Sequence, residues 1–167
     1  MSDVAKQYLA GLLTYLPDTH LVFRPNINSY RRFETSAWSP VEVSWGHENR
    51  TRSIRAITLP GNSAVRFEHR VPGADINPYL TIAAMLAAGL EGIERDLSLD
   101  LLEAQPLPGT LAASLEAFES SDFVERTFGP DLRDHYATRG RCEVSAYDRW
   151  LASHITDFEF QRYFLTT

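Results

Sequence analysis

The residue pattern of this chain changes at Asn77, and that change constrains the fold more than any other feature. Before Asn77, short runs of β-branched, aromatic and alternating residues are separated by turn residues such as Gly46 and Gly61. Such runs are typical of strands, and they predict three of them, at residues 41–45, 53–57 and 64–70. From Asn77 onward, apolar side chains recur at the spacing of helices. A group of strands followed by a group of helices predicts an α+β fold.

Capping residues indicate where the helices begin. Ser2 can cap a first helix, and Asn77 is a good N-cap for a long helix because a proline follows it. Thr156 precedes Glu159 by three residues, which is the spacing of a capping box. Further helices are predicted at residues 110–119, 130–150 and 156–164. We therefore expect residues 1–167 to form one compact unit, with a short antiparallel sheet covered on one side by four or five helices.

Positive charge is concentrated in one segment of an acidic chain. The formal net charge is -6, yet eight of the fifteen arginines fall between Arg24 and Arg70, which gives that segment a charge of about +4. Guanidinium groups bind carboxylate and phosphate in bidentate fashion, so the cluster indicates a local anion site. Biased base composition is another explanation, because Lys6 is the sole lysine. That bias explains why arginine is used, but it does not explain why the arginines cluster.

Composition excludes several classes of protein. Cys142 is the sole cysteine, which rules out a disulfide framework or a thiolate metal cluster within one chain. No apolar stretch approaches the roughly 18 residues of a membrane span, and the first residues do not resemble a signal peptide. We therefore expect a cytoplasmic protein without a membrane partner. Tyr30 and Trp45, near the arginines, suggest a platform for single-stranded nucleic acid, but the acidic remainder argues against nucleic acid as a partner.

The predicted strand at residues 64–70 has one charged face. Side chains alternate along a strand, so Arg66, Glu68 and Arg70 share a face, and Arg55 of the preceding strand can join it. This face is either the solvent-exposed side of a sheet or a site in which Glu68 binds a divalent cation while the arginines bind anions. The alternation by itself leaves both interpretations open.

Several ordered motifs extend over nearly the whole chain. They are Asn28-Ser-Tyr-Arg-Arg32, Asn49-Arg-Thr-Arg-Ser-Ile-Arg55, Arg66-Phe-Glu-His-Arg70, Asn77-Pro-Tyr-Leu80 and a helical run at residues 83–93. The likeness continues near both ends, at residues 8–13 and 155–164. In these motifs the chain resembles the C-terminal part of the catalytic domain of the glutamine synthetase family.

The resemblance implies an activity, its cofactors and roles for particular residues. Family members use ATP to phosphorylate the γ-carboxylate of glutamate, and an amine then displaces phosphate to give a γ-glutamyl amide. Arg50 and Arg55 match the residues that bind the ATP phosphates and neutralise the transferred phosphoryl group. Arg32 and Arg70 match residues that bind the glutamate substrate, and Glu68 matches a ligand of Mg²⁺ or Mn²⁺. Clustered arginines and a divalent ion suit this chemistry, because positive charge must surround the migrating phosphoryl group.

One departure from the family pattern is length. Family members carry an N-terminal β-grasp domain and a first half of the catalytic domain, with further metal-binding glutamates, ahead of the matching segment. Glu68 is the one metal-type residue at a family position here, and a single carboxylate does not organise the ions that the reaction uses. We therefore expect this chain alone to be inactive and its partners to be the missing half or neighbouring subunits, as a homo-oligomer. A non-catalytic assembly module and an anion-binding module derived from the family remain alternatives.

The second departure concerns the amine. In ammonia-using members a glutamate lies two residues before the proline that matches Pro40, and this chain has Trp38 there. An indole cannot provide an anionic cage for ammonium, but it can stack on an alkyl amine or a cationic amine. Trp38 therefore favours an organic amine such as a polyamine over ammonia, unless the indole merely packs the loop.

Overall fold

The computed structural model describes residues 1–32, 38–58 and 65–164, apart from the side chains of Arg32 and Leu101. The helices are α1 (Asp3–Thr14), α2 (His20–Phe23), α3 (Pro78–Glu94), α4 (Leu111–Ser120), α5 (Asp122–Phe128), α6 (Pro130–Ser153) and α7 (Asp157–Tyr163). The strands are β1 (Trp45–His47), β2 (Ile54–Ile57) and β3 (Arg66–His69), and short 3-10 helices lie at Ile27–Arg32 and Leu99–Leu101. This arrangement confirms the predicted α+β class. Within these described ranges, no helix has the length and apolar character needed to cross a membrane.

The capping residues act as predicted. The Ser2 hydroxyl accepts a hydrogen bond from the backbone N–H of Ala5 at the start of α1, and the Asn77 side chain caps α3 in the same way. Thr156 and Glu159 form the capping box of α7. All five predicted helices are present, whereas α2 and α5 were not predicted. Both are short, and α5 follows α4 so closely that one residue, Ser121, ends the first helix and caps the second.

Helices α1 and α3 pack closely against each other where glycines meet. Gly11 and Gly92 face each other there, and a Cβ atom on Gly92 would overlap the backbone carbonyl of Gln7. Glycine at both positions lets the two backbones come into contact. The core around this crossing is apolar, with fully buried side chains that include Leu9, Leu13, Leu16, Phe23, Ile54, Val71 and Phe118.

The sheet has the order β1-β2-β3, and its strand directions are mixed. Strands β2 and β3 are antiparallel as predicted, but β1 and β2 are parallel, so the expectation of an all-antiparallel sheet was wrong. The predicted strand at residues 41–45 is also shifted, since β1 begins at Trp45. The backbone N–H of Val43 instead donates to Gln105, a residue far along the chain, at 2.8 Å. The local pattern of residues 41–45 indicated an extended backbone but could not identify its partner.

The two faces of the sheet differ in chemistry. Ile54 and Ala56 are completely buried against the core on one side of β2, while Arg55 lies between them and points to the other side. His69 of β3 also lies on the core side, where its ring contacts Phe23 at a centroid distance of 4.8 Å. The alternation predicted for residues 64–70 therefore holds for the described strand, and it leaves a charged face opposite the core.

Candidate functional site

Arg55 is at the centre of the charged face. The strand register places it directly opposite Glu68. Its Nη1 atom lies 3.3 Å from Oε2 of Glu68, and its Nη2 atom lies 2.9 Å from Oε2 of Glu48. The guanidinium is therefore held between two carboxylates, and its side chain is only 17% exposed. The hydrogen bonds that Arg55 donates to the two glutamates, first of all to Glu48, raise the pKa of Arg55 above its usual value.

Glu48 was not predicted to be part of the site. Its Oε1 atom accepts a hydrogen bond of 2.8 Å from the backbone N–H of Thr58, while Oε2 contacts Arg55. The hydrogen bond from Thr58 is the main cause that lowers the pKa of Glu48, and the hydrogen bond from Arg55 adds to it. Glu48 and Arg55 are only seven positions apart, but the turn that brings them together is not visible as a sequence pattern.

Arg70 joins the charged face to the loop that carries Trp38. Its Nη1 atom lies 3.1 Å from Oε1 of Glu68, and its Nη2 atom donates to the backbone carbonyl of Trp38 at 3.2 Å. Trp38 is 69% exposed, so its indole is accessible from solvent beside the charged face. The structure thus brings together four of the residues singled out in the sequence, namely Trp38, Arg55, Glu68 and Arg70.

Arg50 does not join this cluster in the described structure. Arg50 is exposed in the turn after β1, and its guanidinium makes no hydrogen bond or ion pair with another described residue. Its neighbour Arg52 pairs instead with Glu42 at 2.6 Å. The side chain of Arg32 lies outside the described residues. The roles predicted for Arg32 and Arg50 therefore stay predictions.

The segment that leads to Arg32 and Trp38 is anchored by buried polar contacts. Arg24 is 1% exposed, and its guanidinium donates to the Ser29 carbonyl and to the Ser39 hydroxyl, both at 3.3 Å. Asp75 accepts a 2.6 Å hydrogen bond from the Ser29 hydroxyl. Arg24 counted only as one of the clustered arginines in the sequence, because burial cannot be inferred from residue type. It contacts Ser29 before Arg32 and Ser39 after Trp38, and so holds the described backbone at these two points.

The charged face carries two carboxylates, Glu48 and Glu68, and of these Glu68 is the one predicted to bind a metal ion. Among the described residues, no group of three or more histidine, cysteine, aspartate or glutamate side chains is placed to hold a metal ion. Both oxygen atoms of Glu68 contact arginines. His69, next in sequence, points to the core, and its ring nitrogens have no hydrogen-bond partner within the described structure. The described residues of the face thus do not by themselves form a complete metal site.

Comparison with known proteins assigns this fold to a family. Residues 1–163 match the family model described as glutamine synthetase, catalytic domain. The chain therefore belongs to the glutamine synthetase family, as the sequence motifs indicated.

Individual relatives are ligases that make γ-glutamyl amides. Over 98% of its length the chain is 39% identical to gamma-glutamylethanolamide synthetase of Streptomyces coelicolor and 37% identical to glutamate–isopropylamine ligase of a Pseudomonas species. It is 38% identical to gamma-glutamylputrescine synthetase of Escherichia coli K12 over 89% of its length. These matches cover 36%, 37% and 33% of the relatives, so the chain spans about a third of their length.

Two solved structures also match the whole chain with only a part of their own length. The ligand-free structure of GmaS superposes on the whole chain with a TM-score of 0.78 at 32% identity, and the match covers 39% of GmaS. A complex of GmaS with ADP gives a TM-score of 0.79 at 31% identity. The fold described above therefore corresponds to about two fifths of the larger GmaS chain.

Proposed function

We propose that this chain is the C-terminal part of the catalytic domain of an ATP-dependent ligase that joins the γ-carboxylate of glutamate to an organic amine. The observation that carries the proposal is the convergence of Arg55, Glu68 and Arg70 on one face of the sheet beside Trp38. These residue types in contact supply the positive charge and the carboxylate that transfer of a phosphoryl group requires.

Each arginine has a distinct proposed role. Arg55, together with Arg50 from the neighbouring turn, binds the phosphates of ATP and the phosphoryl group in transit. Arg70, together with Arg32, binds the glutamate substrate. Arg66 adds a third positive charge to the described face, and three arginines against Glu48 and Glu68 leave an excess of positive charge there. That excess favours a polyanion such as ATP or acyl phosphate.

Glu68 contributes one oxygen ligand to Mg²⁺ or Mn²⁺ in this proposal. A bound divalent cation would supply charge neutralisation next to the phosphates. The remaining ligands must come from outside the described residues, either from the rest of a longer chain or from a neighbouring subunit. The isolated chain is therefore expected to bind the anion without completing the reaction.

The preference for an organic amine rests on Trp38. Each of the three relatives named above is named for an organic amine or its amide. They are a gamma-glutamylethanolamide synthetase, a glutamate–isopropylamine ligase and a gamma-glutamylputrescine synthetase. An exposed indole provides an apolar face for the alkyl part of such an amine and attracts its cation. The 69% exposure of Trp38 supports this role over simple packing of the loop.

A second candidate function is a non-catalytic assembly module, and one observation favours it. Ile82, Leu86 and Leu90 recur every four residues along α3, and each is more than half exposed. Helix α7 has no buried residue. Exposed apolar stripes of this kind mark surfaces that another protein segment covers. In a complete catalytic domain, the remaining part of the domain would also cover these stripes, so they fit both candidate functions. Anion binding is expected only of the catalytic candidate and therefore distinguishes the two.

The distinguishing experiment is calorimetric titration of the chain with pyrophosphate. The wild-type chain should bind weakly, and its affinity should fall as salt concentration rises, because exposed charges are screened. An Arg50→Ala/Arg55→Ala variant should lose this binding, whereas Arg126→Ala, which removes an exposed arginine of α5, should not. Identical isotherms for the wild type and the double variant would refute the anion site and favour the assembly module.

The amine preference is tested in a full-length ligase that contains this segment. Competition between ammonia and putrescine should favour putrescine in the wild type, and Trp38→Glu should shift the preference toward ammonia. Stacking on the indole is worth roughly 0.5–2 kcal/mol to an alkylammonium, which corresponds to a preference of a few fold to about thirtyfold. A wild type that prefers ammonia, or an unchanged preference in the variant, would contradict the role of Trp38.

A further inference from the structure

We infer that Glu48 is a positioning residue that holds the Arg55 guanidinium in place for anion binding. The inference rests on the proposed function, because it requires Arg55 to bind the anion. It assigns Glu48 a role in orienting Arg55, with no contact to substrate.

The two carboxylates that contact Arg55 differ in how firmly they are fixed. Glu48 makes the shorter contact, 2.9 Å against 3.3 Å for Glu68, and its second oxygen is bound by the backbone N–H of Thr58. Glu68 is also shared with Arg70. Glu48 is therefore attached to the sheet at two points, while the partner on the other side of Arg55 divides its oxygens between two arginines.

The backbone at Glu48 is held in an unusual conformation. Its φ angle is +53°, in the left-handed region that glutamate rarely adopts. The Glu48 N–H nevertheless donates to the carbonyl of Ala56 at 3.0 Å, which fixes the residue at the end of β1. Such strain persists where the surrounding contacts determine the conformation. Here those contacts aim the carboxylate at Arg55, and Arg50 follows in the same turn.

This geometry has a consequence for anion binding. Each terminal nitrogen of a guanidinium carries two N–H groups. Arg55 can therefore keep its contact with Glu48 and still donate a hydrogen bond to a phosphate oxygen. Without Glu48, Glu68 would be the remaining carboxylate partner among the described residues. Arg55 would then move closer to Glu68, with which it already pairs at 3.3 Å, and away from the position in which it faces the anion.

A pair of substitutions separates orientation from charge. Glu48→Gln and Glu48→Ala both remove one negative charge, which by itself should strengthen binding of pyrophosphate equally in the two variants. Thr58 and Arg55 bind different oxygens of Glu48, and glutamine keeps one acceptor oxygen, which can face Arg55, whereas alanine keeps none. We expect Glu48→Ala to bind pyrophosphate about three- to tenfold more weakly than Glu48→Gln, as for loss of one hydrogen bond.

Glu42 provides the matched control on the same segment. It pairs with Arg52 at 2.6 Å, away from Arg55, so Glu42→Gln and Glu42→Ala should bind pyrophosphate equally. Circular dichroism and the urea midpoint establish that each variant is folded. If Glu48→Ala does not fold, Glu48→Asp replaces it, because the shorter carboxylate keeps the charge but cannot reach both partners and should weaken binding relative to the wild type.

The outcomes are distinct. Equal affinities of Glu48→Gln and Glu48→Ala, or of Glu48→Asp and the wild type where the alanine variant is unfolded, would overturn the positioning role while leaving the anion site intact. Failure of Arg50→Ala/Arg55→Ala to reduce binding would instead overturn the anion site itself. A difference confined to the Glu48 pair and absent from the Glu42 pair would support the inference.

Discussion

At the scale of single residues, two buried histidines make the stability of the fold depend on pH. His20 is completely buried, and its Nδ1 atom lies 2.8 Å from the Ser114 hydroxyl. Burial lowers the pKa of His20 from 6.5 to about 3, with the nearby charge of Arg24 adding to the effect. Burial likewise lowers the pKa of His69 to about 4. Both imidazoles are therefore neutral in the folded chain at pH values where they are protonated in the unfolded chain.

The free energy of unfolding should consequently fall as pH is lowered from about 6.5 toward 4. In this range the unfolded state binds more protons than the folded state, so stability is complete above pH 6.5 and is lost on acidification. Each histidine contributes a slope of about 1.4 kcal/mol per pH unit. Urea titrations at several pH values should show a slope smaller by that amount in His69→Leu. His135→Gln, which changes an exposed residue of α6, serves as the control, and an unaltered slope in His69→Leu would contradict the assignment.

At the scale of elements, the crossing of α1 and α3 holds the core together. The predicted helices followed from capping and periodicity, but their close contact depends on Gly11 and Gly92. A side chain at either position would force the two helices apart, because packed interiors have no space to absorb it. The charged face of the sheet depends indirectly on this crossing, since β2 rests on the same core through Ile54.

Gly92→Ala should therefore destabilise the chain by about 1–3 kcal/mol, the usual cost of overpacking a core. The measurement is the urea midpoint, followed by the circular dichroism of the helices. Gly109→Ala is the matched control, because a Cβ atom there meets no atom within 4 Å. Equal midpoints for the two variants would show that the crossing can adjust without cost.

At the scale of the whole molecule, the chain exposes apolar surface of the kind that another protein segment covers. It spans about a third of the length of its curated relatives, and the apolar stripe of α3 faces solvent. The aromatic side chains of α7, including Phe158 and Tyr163, are exposed as well. Among the described residues, the charged face holds no group of three or more side chains that could bind a metal ion.

We expect the chain alone to form no γ-glutamyl amide from ATP, glutamate and an amine. Loss of even one preorganised charge-stabilising group can reduce a rate by about 10²–10³, and here several ligands of the divalent cation are lacking among the described residues. The assay is release of ADP that depends on both glutamate and amine. Full-length gamma-glutamylethanolamide synthetase of Streptomyces coelicolor provides the positive control, and measurable dependent release by the pure chain would refute the expectation.

The sequence by itself determined the features that depend on neighbouring residues. Ser2, Asn77 and Thr156 mark helix starts because a capping side chain bonds to a backbone group two or three positions away. The grouping of Arg55, Glu68 and Arg70 followed from the alternation of strands, and the ordered motifs indicated the family.

Only the tertiary structure decided the contacts between segments that are distant in sequence or joined by an irregular turn. The parallel pairing of β1 with β2, the bond between Val43 and Gln105, and the burial of Arg24 depend on the path of the chain. The contact between Glu48 and Arg55 depends on a left-handed turn that glutamate rarely adopts. No local periodicity encodes such contacts, because they arise when the core packs and brings unrelated segments within bonding distance.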